Sequence, residues 1–464
     1  MKRGLELALT LLLGGCAVGP DYIQPAAIVP AHYKEVKGWK MASPRDDAAR
    51  GAWWRAFGDS ELNRLEPQVA VSNQTLKADE ANYRQALALI GEGRAQLFPT
   101  LNFDPSLTRS SGAGTNFSAE LSASWMPDVW GKVRRTIESE GAAAQVSAAD
   151  LANATLSAQS ALALAYFQVR QADSLHDLLT NTVAQYQRSL DIAQNQYNAG
   201  TTARSDVITA QAQLLAAQAQ AINTGVARAQ NEHAIAVLIG RPPSGLSVAH
   251  GALPGGVPNI PLRLPSTLLE RRPDIAAAER LIQEQNALIG VATAAYYPDI
   301  TLSGLLGYSG NPFVKQISGA NPVWSLGLSA AQTVFNGGLT GAQIDAARAS
   351  YTASVATYRQ TVLGAFQQVD DQLAAIRILS QQAAVQAKAT AAAEQAVQIA
   401  LNEYRAGTQN YTTVVTAQAT ALSDEESALT TRAQRFAAAV NLIVALGGGW
   451  SRDALPRPLE AAGQ

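Results

Sequence analysis

Tyr197-Asn198-Ala199-Gly200-Thr201 recurs as Tyr404-Arg405-Ala406-Gly407-Thr408, an offset of 207 (404 minus 197). The same offset sets Val207 on Val414 and Thr209-Ala210-Gln211 on Thr416-Ala417-Gln418. It also carries Gly240 onto Gly447 and Trp130-Gly131 onto Gly337-Gly338. Further upstream, Phe98-Pro99 matches Tyr297-Pro298 at an offset of 199, so the second copy carries about eight more residues between its strands. A register held over such a distance marks an internal duplication.

Each copy predicts a helix, a strand, a loop, a strand, a long helix, a tight turn at Gly200 or Gly407, and a second long helix. No proline interrupts the chain between Pro127 and Pro242, or between Pro322 and Pro456, and both stretches are rich in Ala, Gln, Leu and Arg. These are good helix formers. A helix from Lys132 to Tyr197 would reach about 100 Å at 1.5 Å per residue, a length that belongs to coiled-coil or tubular packing. A two-stranded coil wants bulky a and d residues; Ala142-Ala143-Ala144 and Ala391-Ala392-Ala393 suit helices set closely side by side in a tube.

The strands alternate. Phe117, Ala119, Leu121, Ala123 and Trp125 interleave with Ser118, Glu120, Ser122 and Ser124. Trp324, Leu326, Leu328 and Ala330 interleave with Ser325, Gly327 and Ser329; Ile300 to Tyr308 repeats the pattern with Leu305 as its exception. Leu101 to Leu107 alternates too, with Pro105 predicting a bend. Each strand is near the 9–11 residues that span a bilayer when tilted, and the pattern fits a barrel with lipid outside and water inside. By itself it fits the edge of a soluble sandwich equally well. Four strands are too few to enclose water, so a barrel requires strands pooled from several copies.

The beginning of the chain sets the compartment. Lys2 and Arg3, an apolar run from Leu5 to Leu13, and Leu13-Gly14-Gly15-Cys16 read as a secretory signal. The run is too short to span a membrane. The tetrapeptide is also the pattern of bacterial lipoproteins, with Cys16 as the acylated first mature residue; the alternative is an incidental thiol. It is the only cysteine, so no intramolecular disulfide forms. Ala17, rather than Asp, follows it, which points to the outer membrane. A net charge of −2 leaves no basic face for nucleic acid. His32, His176, His233 and His250 lack metal-ligand spacing, with His176 and His233 expected on solvated or lumenal faces. Gly447-Gly448-Gly449 runs into Trp450 rather than the Lys and Ser or Thr of a phosphate loop. Neither an enzyme nor a cofactor is expected.

Together the residues resemble the outer-membrane factors of tripartite efflux systems, the TolC and OprM group, and most closely the NodT-type lipoproteins. The diagnostic pieces are Cys16-Ala17-Val18-Gly19-Pro20-Asp21-Tyr22, Trp53-Trp54 with Phe57-Gly58-Asp59, Arg271-Arg272-Pro273-Asp274-Ile275, and the paired turns. The resemblance implies a mixed fold, a membrane β-barrel joined to an α-helical barrel. Four strands from each protomer of a homotrimer would form a twelve-stranded barrel continued by a periplasmic helical tunnel. It implies as partners a periplasmic adaptor, an inner-membrane pump and outer-membrane lipid. The expected organisation is a signal over 1–15, a lipidated segment and belt over 16–60, and a first repeat over 61–240 with its hairpin at 100–127. A linker and belt over 241–270, a second repeat over 271–447 with its hairpin at 299–333, and a belt tail over 448–464 complete it. The duct conducts passively; drug efflux and protein secretion stay open as alternatives, and a pore-less coiled-coil lipoprotein is the remaining rival.

In that family a carboxylate six residues after the first turn glycine meets a tyrosine three residues before the second, closing the periplasmic tip. Those positions are Asp206 and Tyr404 here. The position of an additional linking arginine holds Gln409, and the positions of an acidic ring hold Thr413 and Thr416. The plainer alternative is that Asp206 caps its helix and Tyr404 packs at a helix end.

Overall fold

A computed structural model describes residues 17–35, 51–111, 114–258, 260, 268–310, 322–452 and 455. The expected signal, Cys16, part of the belt segment (36–50), part of the linker (261–267), residues 311–321 between the second pair of strands and most of the tail after 452 lie outside the described residues.

The elements are α1 (Ser60–Ser72), α2 (Gln74–Ala95), β1 (Thr100–Ser110), β2 (Gly114–Trp125), α3 (Lys132–Asn198), α4 (Arg204–Leu238), α5 (Leu268–Arg271), α6 (Pro273–Ala294), β3 (Asp299–Gly310), β4 (Pro322–Ala331), α7 (Leu339–Arg405) and α8 (Tyr411–Ala445). Helices α3 and α7 each hold 67 residues, and α4 and α8 each hold 35. In both pairs the second-half helix begins 207 positions after its counterpart (339 minus 132, 411 minus 204).

The helix expected to open each copy is broken in two. In the first half, Asn73 ends α1 and its side chain accepts from Thr75 N and Leu76 N, starting α2. In the second, Arg272 stands at the break and Pro273 takes the first helical position, where its missing N–H costs nothing. Gly200 (φ 76) and Gly407 (φ 73) turn the long hairpins. The next residue's amide returns to the helix, Thr201 to Gln196 O at 2.9 Å and Thr408 to Glu403 O at 3.0 Å. This left-handed ending is open to glycine without strain.

The strands form one antiparallel sheet in the order β1-β2-β3-β4. Leu101, Ala123, Gly304 and Leu326 share one row, and Thr100, Ser124, Ser303 and Gly327 share a row of the opposite face. Leu101, Phe103, Leu107, Trp324, Leu326 and Leu328 stand exposed. The expected bend at Pro105 is absent: β1 runs through it in register with Ala119, as an edge strand tolerates proline. Among the described residues, no helix is long and apolar enough to cross a membrane.

The main core lies midway along the helices, where Leu62 and Leu65 of α1 gather with Phe167 of α3, Val369 of α7 and Phe436 of α8. A smaller cluster at the tip joins Ala193, Val207, Ala210, Ala400, Tyr404, Tyr411 and Val414 from all four long helices.

Candidate functional site

At the tip, the end of α7 meets the beginning of α4. The Tyr404 hydroxyl donates to Asp206 Oδ2 at 3.4 Å, and Thr202 Oγ1 donates to the same oxygen at 2.5 Å. The tyrosine contact is at the long end of hydrogen bonding. Tyr404 is buried, its ring lies edge-on to Tyr411 with centroids 5.1 Å apart, and its carbonyl accepts from Gln196 Nε2 at 3.1 Å. Burial holds the Tyr404 hydroxyl protonated above the usual tyrosine range, and Asp206 adds to the rise. Ala203, the residue before α4, offers no side-chain cap, and Asp206 lies in the first turn of that helix with both hydroxyl groups donating to its carboxylate.

The other expected tip residues lie elsewhere. Gln409 accepts from Thr413 Oγ1 at 3.4 Å, Thr413 also bonds Asn410, and Thr416 Oγ1 donates to Thr412 O at 2.9 Å. All three are thus satisfied inside the second turn, and the structure brings together only Asp206 and Tyr404 of the expected set. Thr202 was not legible as a member; its spacing of four residues from Asp206 is the one signal that could have found it.

A second constellation escaped sequence reasoning altogether. Asp173 of α3 is buried and accepts from Arg228 Nε of α4 at 2.7 Å and from Gly251 N at 3.1 Å. Arg170 donates to Ala249 O at 2.6 Å, Arg228 to Val248 O at 2.6 Å, and Glu232 accepts from Val248 N at 2.5 Å. His250 reaches Asp173 at 3.3 Å and Asp177 at 3.1 Å. The segment 248–253 is thereby strapped across α3 and α4. His176 is exposed, as expected of a solvated face, and its ring also reaches Ala221 O and Thr224 Oγ1 of α4 at 3.2 Å.

The segment 17–35 forms the other strap. Val18 N donates to Trp130 O at 3.0 Å, and Arg135 holds Asp21 at 2.9 Å. Gly19 passes so close to Gly290 that a Cβ on it would stand 2.5 Å from the Gly290 Cα. Tyr22 donates to buried Glu279 at 2.5 Å, which raises the Tyr22 hydroxyl further beyond what burial does. Lower down, Glu35 pairs with Arg377 at 2.6 Å.

The family model for outer membrane efflux proteins matches residues 65–241 and 264–448. The pyoverdine export outer membrane protein OpmQ of Pseudomonas aeruginosa is 31% identical, covering 98% of this chain and 98% of its own. The probable efflux pump outer membrane protein TtgC of Pseudomonas putida is 29% identical over 97% of this chain and 96% of its own. Among solved structures, the outer-membrane channel OprN superposes with a TM-score of 0.85 at 29% identity, covering 94% of this chain and 100% of that one.

Proposed function

From the premise that the chain belongs to the outer membrane efflux protein family, we propose that it is the exit duct of a tripartite pump for small toxic compounds, assembled as a homotrimer and closed at its periplasmic tip. Its function as an outer-membrane efflux channel follows from the family and from its efflux-pump relatives; the finer points are our reading.

One observation carries it. A four-stranded sheet with an exposed apolar face, a polar face and two free edges stands at one end of helices about 100 Å long. Backbone edges in lipid are tolerated only when closed, and pooling the sheets of three duplicated chains gives a twelve-stranded barrel. The strap 17–35 supports an acylated Cys16: Ala17 lies against Gly131, where β2 has ended and α3 begins, so the lipid would enter the membrane beside the barrel. The belt comprises the two straps. Gly200 and Gly407 face the adaptor and inner-membrane pump, and Asp206 with Tyr404 forms the resting lock. Gln409, Thr413 and Thr416 leave that lock without the arginine link and the acidic ring.

Conductance in planar bilayers tests the reading. Purified protein is expected to give small, rare openings, and Tyr404→Phe with Asp206→Asn larger ones. Silence in both, from intact oligomers, would favour a pore-less lipoprotein. Protein secretion as the cargo route has no observation in its favour here, whereas both relatives named above belong to small-molecule export or efflux.

A further inference from the structure

The long helices α3 and α7 start on matching glycines, Gly131 (φ 78) and Gly338 (φ 91), and neither has an acidic residue in its first turn. The first is capped from further upstream. Asp128 Oδ1 accepts from Val133 N and Asp128 Oδ2 from Arg134 N, each at 2.9 Å. The carboxylate satisfies two of the free amides at a helix start and sets a negative charge on its positive end. In the second half, 207 positions on, Asp128 is matched by Phe335, which is 88% exposed. Gly338 provides no side-chain cap, and the next polar group is the neutral amide of Asn336, whose Nδ2 donates to Thr340 Oγ1 at 2.7 Å.

Asn336 is followed by Gly337, the one Asn-Gly pair in the 464 residues. Both are exposed. Gly337 stands at φ 64 with open space where a Cβ would be, and among the described residues its amide makes no main-chain hydrogen bond. Such a pair carries its own reaction. The glycine nitrogen attacks the asparagine Cγ, the Cγ–Nδ2 bond breaks, and the nitrogen's proton departs with Nδ2 as ammonia. Water then opens the five-membered imide at either carbonyl, giving aspartate or its isoaspartyl isomer. A Cβ on the second residue, a hydrogen-bonded amide or an enclosed side chain would each hinder the attack. None of the three stands in the way here.

We propose that Asn336 is a self-modification site, where the side-chain amide is lost as ammonia and a carboxylate takes its place before α7. The product gives the second half what Asp128 gives the first. Thr340 Oγ1, which accepts from the amide, then donates to the carboxylate, and the added charge favours the positive end of the helix. The change falls at the joint between β4 and a helix of 67 residues. It needs water and this chain alone, and it holds whether or not the chain is a channel.

The test ages the full-length folded protein in detergent at mildly alkaline pH and follows the tryptic peptide 316–348 by mass spectrometry. An amide-to-acid mass gain is expected there, with an isoaspartyl fraction that an isoaspartyl methyltransferase labels, while the peptides holding Asn198 and Asn402 keep their amides. Asn336→Gln is expected to abolish the gain and Gly337→Ala to slow it. Retention of the Asn336 amide in the folded protein, over a period in which the urea-unfolded chain loses it, overturns the proposal. Asn336→Asp reads the cap directly: hydrogen exchange at the Thr340 and Gly341 amides is expected to slow about two- to five-fold against the unaged protein. Unchanged exchange overturns the capping role.

Discussion

Arg170 and Arg377 occupy the same place in the two halves, 207 residues apart, and each hooks a strap onto a long helix, but the straps are different. Arg170 holds the carbonyl of Ala249, in a segment from the middle of the chain, beside buried Asp173 and its bond to Arg228. Arg377 holds Glu35, from near the beginning of the chain, in a pair about a third exposed. Where the first half has buried Asp173, the second has Ser380, exposed and without charge. The tips differ in the same manner. Tyr404 is buried against Asp206, while Tyr197 is 41% exposed, since the position matching Asp206 is Thr413. The two halves match in the lengths of their long helices, 67 and 35 residues in each, while the polar contacts that fasten them differ.

The sharpest way to break that comparison is to remove one fastener from each half. Asp173→Ala removes the buried carboxylate that Arg170 and Arg228 share, leaving Arg228 with Glu232 and Arg170 with no acid beside it, and is expected to cost about 3–5 kcal/mol; Glu35→Ala is expected to cost less than about 1 kcal/mol, as a partly exposed pair should. Denaturation midpoints of the two variants, with protease cutting near 248–253 as a local probe, check the ordering. Equal losses would mean that the straps are equivalent after all.

Glu66 has no counterpart, since Pro265 stands 199 positions later. It is fully buried in α1, neither carboxyl oxygen has a partner, and burial pushes its ionisation up to about 9. An unfolded glutamate ionises near 4.3. The folded state therefore keeps a proton that the unfolded state releases. Stability is full below the unfolded value and falls as pH rises through the window, until the loss levels off above about 9. Glu66→Gln is expected to remove that slope and to stabilise the fold by about 3 kcal/mol at pH 7. Midpoints at pH 5, 7 and 9 measure it, and parallel pH profiles for the two proteins would refute it.

At the tips, the lock predicts a smaller, asymmetric effect. A hydrogen bond to a charged group contributes about 1.5–3 kcal/mol. Asp206→Asn and Tyr404→Phe should each raise single-channel conductance, and the double variant should add less than their sum. Tyr197→Phe should change nothing; an equal response from it would erase the distinction between the tips. Smallest of all, Cys16→Ser behind an ordinary signal should still give membrane-inserted oligomers, which sedimentation with outer membranes would show.

Much of this is legible in the sequence. The paired turns at Gly200 and Gly407 fixed helices that begin and end at matching positions, because a left-handed glycine marks a boundary that composition alone blurs. Alternation in Phe117 to Trp125 and Trp324 to Ala330 predicted the strands, since a half-exposed strand must repeat every second residue. Asp206 and Tyr404 were legible only through family likeness: 198 residues separate them, and no local pattern announces the contact. The straps were legible only as expected belt segments within 16–60 and 241–270, through family likeness; the contacts that hold them were not. Val248, Ala249 and Gly251 are held through backbone atoms, which every residue possesses, so their partners leave no mark on the sequence. The break at Asn73 hid for a similar reason, being made by one side chain that caps a helix inside a continuous helical pattern.

The strap 17–35 also bears on the order in which such a chain can fold. Tyr22 binds Glu279, the carbonyl of Pro20 binds Asn286 and Glu35 binds Arg377, across 257, 266 and 342 residues. A chain made from its beginning onward delivers residues 17–35 before the helices they grip exist. That stretch must wait, extended and unpaired, until α6 and α7 have emerged. Among the described residues its docking closes very long loops, of 257 to 342 residues, and bears the corresponding entropy.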